Sequence, residues 1–203
     1  MLFLNDVLSQ QSLTDTINEL GRKSQEHFGL PKIHQLGLVV SNAEKASEEL
    51  VKNGLEPAVL ASVKTKQWIE NGQQRDYALK VGFTYHQGLE FELIEPFEGS
   101  NFHRKDIDPN GKIVLQHLGF LVDDLDYWIA KMASQGAPLA VRGKGRLGAI
   151  KADFAYFNTY EQTGVTIELI SMKLLGFSVT PFEKIMNKIA RYQVKSGNRC
   201  LAL

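Results

Sequence analysis

A single cysteine, Cys200, rules out any disulfide within the 203-residue chain. One thiol and no disulfide framework fit a reducing compartment, so a cytoplasmic location is expected. No apolar run approaches the roughly 20 residues that a membrane-crossing helix needs. The first residues, MLFLNDVLSQQ, have an early Asp6 and no basic cluster, and do not read as a signal peptide. Charge of neither sign is in excess, with Lys+Arg and Asp+Glu at 23 each. That balance removes the electrostatic reason to expect nucleic acid or an anionic membrane as a partner. What remains is an ordinary globular composition, 43% hydrophobic and 23% charged. It is enough for one large domain or two small modules sharing a core.

A repeat favours two modules. Ile33-His34-Gln35-Leu36-Gly37-Leu38-Val39-Val40-Ser41-Asn42 aligns on its Leu-Gly with Leu115-Gln116-His117-Leu118-Gly119-Phe120-Leu121-Val122-Asp123-Asp124. Gln35 then stands opposite His117, Gly37 opposite Gly119 and Asn42 opposite Asp124. Each copy reads as a buried strand running into a helix capped by Ser41 or Asn42 in one and by Asp123 or Asp124 in the other. The first helix presents Ala43, Ala46, Leu50 and Val51 and stops at Gly54 and Pro57. The second presents Leu125, Trp128, Ile129 and Met132 and stops at Gly136 and Pro138. Three strands are expected after each: roughly 57–65, 76–85 and 88–95, with turns at Asn71-Gly72 and Gln87-Gly88, then roughly 139–143, 151–157 and 164–170.

The expected organisation is therefore an N-terminal helical extension (1–30), a βαβββ module (31–96), a surface linker (97–112), a second βαβββ module (113–172) and a C-terminal helical extension (173–203). The N-terminal stripe is Leu4, Leu8, Leu13, Ile17 and Leu20, with Gly21 as a breaker. It packs on the main domain or serves a dimer contact. His103 and Arg104 fall in the linker, where a solvated surface is expected. The C-terminal helix, over about 180–197, starts with Thr180 as cap, Pro181 in the first turn and Glu183 completing a capping box. Phe182, Ile185, Met186 and Ile189 face inward in this reading, and Lys184, Lys188, Arg191 and Lys195 face solvent or an anion.

The last strands of the two modules, Phe91-Glu92-Leu93-Ile94-Glu95-Pro96 and Ile167-Glu168-Leu169-Ile170-Ser171, each hold a carboxylate inside an apolar run. A buried carboxylate is costly unless paired, hydrogen-bonded or bound to metal. Two at matching places in a repeat, with Gln35 and His117 on the matching first strands, form the most pointed signal in the chain. Glu90 shares the face of Glu92, and Glu95 points the other way.

Two βαβββ modules offering these four positions resemble the vicinal oxygen chelate superfamily, which includes glyoxalase I, methylmalonyl-CoA epimerase, extradiol dioxygenases and bleomycin-resistance proteins. The resemblance spans about residues 31–172, and Phe154-Ala-Tyr-Phe-Asn-Thr adds to it. It implies an α+β fold in which the modules pair into a cupped, incomplete barrel, here with added terminal helices. It also implies one divalent metal, Zn, Ni, Co, Mn or Fe, held by Gln35, Glu92, His117 and Glu168. His34 is the alternative to Gln35, but a one-residue shift turns a side chain to the other sheet face, and the repeat register selects Gln35. The resemblance further implies a lyase, isomerase or epimerase moving an α-proton next to a metal-bound carbonyl, with Glu168 and Glu92 as the proton-transferring groups.

A dioxygenase triad asks for two histidines and one carboxylate and fits less well. A small-molecule sequestering protein of the same fold is the alternative function. Arg142, Lys144 and Arg146, in the Gly-rich stretch that ends at Gly148, are either an exposed turn or a cradle for a carboxylate or phosphate. Tyr156 is core or substrate wall. The partner expected is a 2-oxo compound, a thiol adduct or an acyl-CoA. Modules of this superfamily pair within or between chains, so a homodimer is one outcome.

Overall fold

The computed structural model describes residues 2–202 apart from Gln11, Gly148, Pro181, Phe182 and Arg199; Met1, Leu203 and the side chains of Leu147 and Ala202 also lie outside the described set. A two-residue strand β1 (Leu2–Phe3) and helices α1 (Leu4–Leu8) and α2 (Leu13–Phe28) come first. The first repeat unit is β2 (Gln35–Val39), α3 (Ala43–Lys52), β3 (Val59–Lys64), β4 (Gln67–Glu70), β5 (Gln73–Gln74), β6 (Tyr77–His86) and β7 (Leu89–Gly99). A 3₁₀ turn at Arg104–Asp106 leads to the second: β8 (Val114–Leu121), α4 (Leu125–Ser134), β9 (Leu139–Leu147), β10 (Ile150–Phe157), α5 (Tyr160–Thr163) and β11 (Thr166–Leu174). Strand β12 (Phe177–Ser178), helix α6 (Glu183–Ser196) and strand β13 (Leu201–Ala202) follow.

All these strands join one curled, half-open sheet in the order β13-β3-β6-β7-β2-β8-β11-β10-β9-β4-β5, with β1 on β8 and β12 on β11. Within each unit the first and last strands run parallel, β2 with β7 and β8 with β11. The two units meet where β2 and β8 pair antiparallel. Strand alternation then sorts the side chains. Leu36, Leu38, Phe91, Leu93, Leu118 and Phe120 join the apolar cluster that includes Ala43, Leu50, Leu125 and Met132 of the helices. The other face carries a second cluster with Trp68, Tyr77, Ile94, Val141 and Tyr156.

The caps fall on Asn42, which accepts from the Lys45 amide at 2.8 Å, and Asp124, which accepts from the Tyr127 amide at 3.0 Å. Glu95 turns away from Glu92 to accept from the Ala43 amide at 2.8 Å, an anion at the positive end of α3 beside the Asn42 cap. Val51, expected inward, is 46% exposed. Ser47 is buried instead and accepts from the Ala58 amide.

Further expectations change. The N-terminal stripe is two helices, because Ser12 caps α2 on the Asp15 amide; Gly21 lies inside α2, where any side chain would overlap Ile33. Asn71-Gly72, both with positive φ, turns the added hairpin β4–β5, and β4 crosses to pair with β9 of the other unit. Arg142 to Leu147 are strand rather than loop: Gly143 is a strand glycine because the Phe154 ring lies over it. On α6, Ile185 and Ile189 are exposed, Met186 is half-buried, and Ala190 and Gln193 face inward. Pro181, Phe182 and Gly148 lie outside the described residues.

Gln193 explains how α6 docks. Its Oε1 accepts from the Leu60 amide and its Nε2 donates to the Leu60 carbonyl, both at 3.0 Å, so one side chain stands in for a neighbouring strand at the β3 edge. Replacing Gln193 by Leu leaves both backbone groups buried and unpaired. Urea unfolding of Gln193→Leu should show a loss of about 2 kcal/mol or more. An unchanged midpoint would mean that α6 docks by other contacts.

Candidate metal centre

The β2–β8 seam builds the site. In register, Gln35 faces Gly119 and Gly37 faces His117. Each side chain projects over the glycine of the other unit: a methyl on Gly37 would overlap the His117 ring, and one on Gly119 would come 2.7 Å from Gln35 Oε1. The flanking strands extend two rows across the sheet. One runs Phe83, Glu92, Gly37, His117; the other runs Tyr85, Glu90, Gln35, Gly119, Glu168, Tyr156. The repeated Gly, two residues after Gln35 and after His117, leaves the space that brings these groups together.

Glu92, His117 and Glu168 offer ligand atoms all within 4.8 Å of one another. His117 Nε2 is 3.0 Å from Glu168 Oε2 and 3.7 Å from Glu92 Oε2, but without hydrogen-bond geometry. Gln35 Oε1, Glu92 Oε2, His117 Nε2 and Glu168 Oε2 are all buried and unpartnered. The other polar atoms of Gln35 and His117 are committed. Gln35 Nε2 donates to Glu90 Oε1 at 2.6 Å, and Tyr85 donates to the other oxygen of Glu90. His117 Nδ1 donates to Gln116 Oε1 at 2.8 Å, which turns the Nε2 lone pair inward. Gln116 in turn hydrogen-bonds Asp106. Four orphaned acceptors, oriented from behind, are a donor set that fits a divalent ion.

Burial, then the neighbouring Glu168 and Glu90 carboxylates, raise the Glu92 pKa well above the carboxylate range. Burial also raises Glu90 to about 7, against the hydrogen bonds from Tyr85 and Gln35. His34 lies on the other side of the pleat and outside the group of three. Burial and Lys32 push its pKa down to about 4.

A cavity of about 130 Å³ opens beside the cluster, lined in part by Gln35, Glu90, Glu92, Glu168 and Tyr156. Of the three cations expected to hold substrate, Arg146 lines it. Arg142 is held by Asp126 of α4 at 2.6 Å and Lys144 lies 3.8 Å from Asp153; neither lines the cavity. His103, expected in a solvated linker, is buried in the cavity wall with its Nδ1 2.7 Å from the Tyr77 hydroxyl. Burial, then His117 and Lys105, hold its pKa well below the usual histidine value. Trp68, buried on the crossing strand β4, lines the same space. The only sequence signal for these two was an aromatic or imidazole ring beside turn residues, which is common on surfaces.

A family model described as "Glyoxalase/Bleomycin resistance protein/Dioxygenase superfamily" matches residues 34–157. Among solved structures, methylmalonyl-CoA epimerase from Mycobacterium tuberculosis aligns at 22% identity over 68% of this chain and 85% of that one, with a TM-score of 0.43. A Streptomyces coelicolor methylmalonyl-CoA epimerase variant in complex with 2-nitronate-propionyl-CoA aligns at 19% identity over 70% and 96%, TM-score 0.44. A 4-hydroxymandelate synthase mutant from Streptomyces coelicolor aligns at 17% over 81% and 56%, TM-score 0.47. A search of curated proteins returned no match. Among the described residues, no helix is long and apolar enough to cross a membrane.

Two outcomes are expected. Gly37→Ala should displace the His117 ring and lower divalent-metal content by at least tenfold while far-UV dichroism stays native; unchanged metal content would remove His117 from the ligand set. Stability of metal-free protein should also depend on Glu90. Unfolded Glu90 releases its proton near 4.5 and folded Glu90 near 7, so the folded state holds the extra proton between these values. Raising the pH through this window therefore withdraws stability, on the order of 3 kcal/mol in full. Thermal melts of wild type and Glu90→Gln at pH 5 and pH 8 should show the decline reduced in the variant; parallel declines would show that Glu90 ionises normally.

Proposed function

The chain belongs to the Glyoxalase/Bleomycin resistance protein/Dioxygenase superfamily, and on that premise we propose that it is a divalent-metal-dependent lyase, isomerase or epimerase that moves a proton on the carbon next to a carbonyl. The observation that carries this reading is the set of four buried, unpartnered atoms on Gln35, Glu92, His117 and Glu168. These residues would hold one ion of Zn, Ni, Co, Mn or Fe. When bound, the ion supplies Lewis acidity that makes the C–H beside a carbonyl easier to ionise.

The rest of the chemistry belongs to the chain. Glu168 and Glu92 come from different units and both reach the His117 Nε2, at 3.0 and 3.7 Å. Their carboxylate oxygens take the proton from the substrate carbon and return it, to the same face or the other. Glu90 and Tyr85 keep the Gln35 amide turned, and Gln116 does the same for the His117 ring. Tyr156, the cross-strand neighbour of Glu168, and Arg146 are the substrate-facing residues of the expected set. The apolar cavity wall excludes water from the carbanionic stage. One His and two carboxylates differ from the two-His, one-carboxylate set of an oxygen-activating triad, which places a dioxygenase behind this reading.

The test is metal content, then isotope exchange. Protein purified without a His tag should carry about one equivalent of a divalent ion. It should also catalyse deuterium wash-in from D₂O at the α-carbon of a member of a panel of 2-oxo compounds, thiol adducts and acyl-CoA esters. Glu168→Gln should lower that exchange by about a hundredfold or more. No ion in the purified protein, and no thermal stabilisation by any of the five added ions, would instead favour a small-molecule sequestering protein of the same fold.

A further inference from the structure

His103 has no assigned role in the ligand set or in proton transfer, yet it is 1% exposed and lines the cavity. Its ring is wedged among Trp68, Tyr156 and His117, with centroid distances of 5.8, 5.3 and 6.1 Å. None of these gives its Nε2 a hydrogen-bond partner, and Nε2 is left buried and unpaired. The other nitrogen is committed. Nδ1 lies 2.7 Å from the Tyr77 hydroxyl, and among the described residues that is the one hydrogen bond of the phenol oxygen. Burial first, and the Glu92 charge second, push the Tyr77 pKa up, so the phenol keeps its proton. Were Nδ1 the donor, the phenol proton would have no acceptor in a dry wall. The arrangement that satisfies both groups has Tyr77 donating to Nδ1, which fixes the proton of the neutral imidazole on Nε2.

A buried N–H without a partner costs free energy unless something supplies an acceptor. The protein around it does not. Much of the cavity lining is apolar, with Val63, Val81, Phe83, Ile150 and Met172 among its residues, and Arg146 is the one Lys or Arg of the described lining. Such a space suits a compound that is mostly hydrocarbon and presents an oxygen at its inner end.

We infer that His103 contacts the bound small molecule, its Nε2–H donating to a carbonyl, enolate or carboxylate oxygen of a ligand whose remaining surface is apolar, with Tyr77 setting the tautomer from behind. The inference rests on the metal-dependent reading above for the ligand's position beside the cluster. It adds a recognition element from outside the two repeats. The contact has no counterpart in the repeat pattern, because the segment that carries it joins the two units.

The test separates the two nitrogens. Asn at position 103 can still meet Tyr77 at the place of Nδ1 but has nothing at the place of Nε2; Gln reaches the place of Nε2. Nitrogen-15 NMR of the metal-free protein should show His103 as the Nε2–H tautomer, and Tyr77→Phe should erase that preference; an Nδ1–H tautomer in wild type overturns the inference. Benzohydroxamate, an apolar ring bearing adjacent oxygens, is then titrated calorimetrically into zinc-loaded protein. His103→Asn should weaken it about tenfold, the size of one hydrogen bond, and His103→Gln should lose less, with zinc content unchanged in both. Equal affinity in wild type and His103→Asn overturns the inference. So does loss of zinc in His103→Asn, which would make His103 an ion ligand. If wild type takes up no zinc, the metal-dependent reading fails by itself. The same titration in metal-free protein then decides, and equal affinity of wild type and His103→Asn again counts against His103.

Discussion

The antiparallel seam between β2 and β8 is the constraint on which the rest of the molecule depends. Two strands of different units lie side by side with their glycines staggered, so that Gly37 faces His117 and Gly119 faces Gln35. With a Cβ at those two positions the Gln35 and His117 side chains could not lie flat across the seam. The parallel neighbours β7 and β11 then add Glu92 and Glu168 in the same two rows. The other faces of the same strands bury Leu36, Leu38, Leu118 and Phe120 toward the helices. Strand alternation thus supplies both the adhesive face and the chemical face, and a slip of one residue would exchange them.

That arrangement carries an electrostatic load. Glu90, Glu92 and Glu168 lie on one face of the sheet against an apolar cavity. Desolvation dominates at Glu90 and Glu92, and both are driven toward the protonated form. Two devices offset it. Hydrogen bonds from Tyr85 and Gln35 stabilise the Glu90 charge in part. Glu92 and Glu168 keep an oxygen without a partner, next to His117 Nε2, where a cation would offset the crowding of negative charge.

The parts that complete the cavity come from outside the repeat. Strand β4 leaves the first unit, pairs with β9 of the second and brings Trp68 across. Trp68 stacks on Tyr77 with centroids 4.2 Å apart, and Ser100, at the start of the connecting segment, donates to Glu70 at 2.5 Å. The crossing strand and the connecting segment therefore hold each other, and His103 is lodged between them and the cluster. Helix α6 is attached differently, through Gln193 on the Leu60 backbone of β3, next to the stretch that β13 pairs, and through the Arg191–Glu56 ion pair. It leaves Ile185, Ile189 and Tyr192 in solvent.

Much of this was determined locally and so could be read from the residues in order. The strand–helix repeat, the caps at Asn42 and Asp124, the Gln87-Gly88 turn and the shared face of Gln35 and Gly37 follow from periodicities of two and 3.6 and from cap chemistry, which involve near neighbours only. The same alternation put Glu92 and Glu168 on one face and His34 on the other. Other features had no local mark. Nothing near Trp68 announces that its strand pairs 70 or more residues away, since an edge strand's partner is chosen by the curl of the whole sheet. His103 sits among Gly, Ser, Asn, Asp and Pro, the composition of a solvated segment, and is buried because that segment packs under the crossing strand. Arg142 and Lys144, in a glycine-rich stretch that looked like a loop, belong to a strand because Phe154 of the next strand needs the space over Gly143. Local chemistry decides which residue types share a face; which faces meet, and which glycine is a turn or a gap for a neighbour's ring, is decided only when distant strands pack.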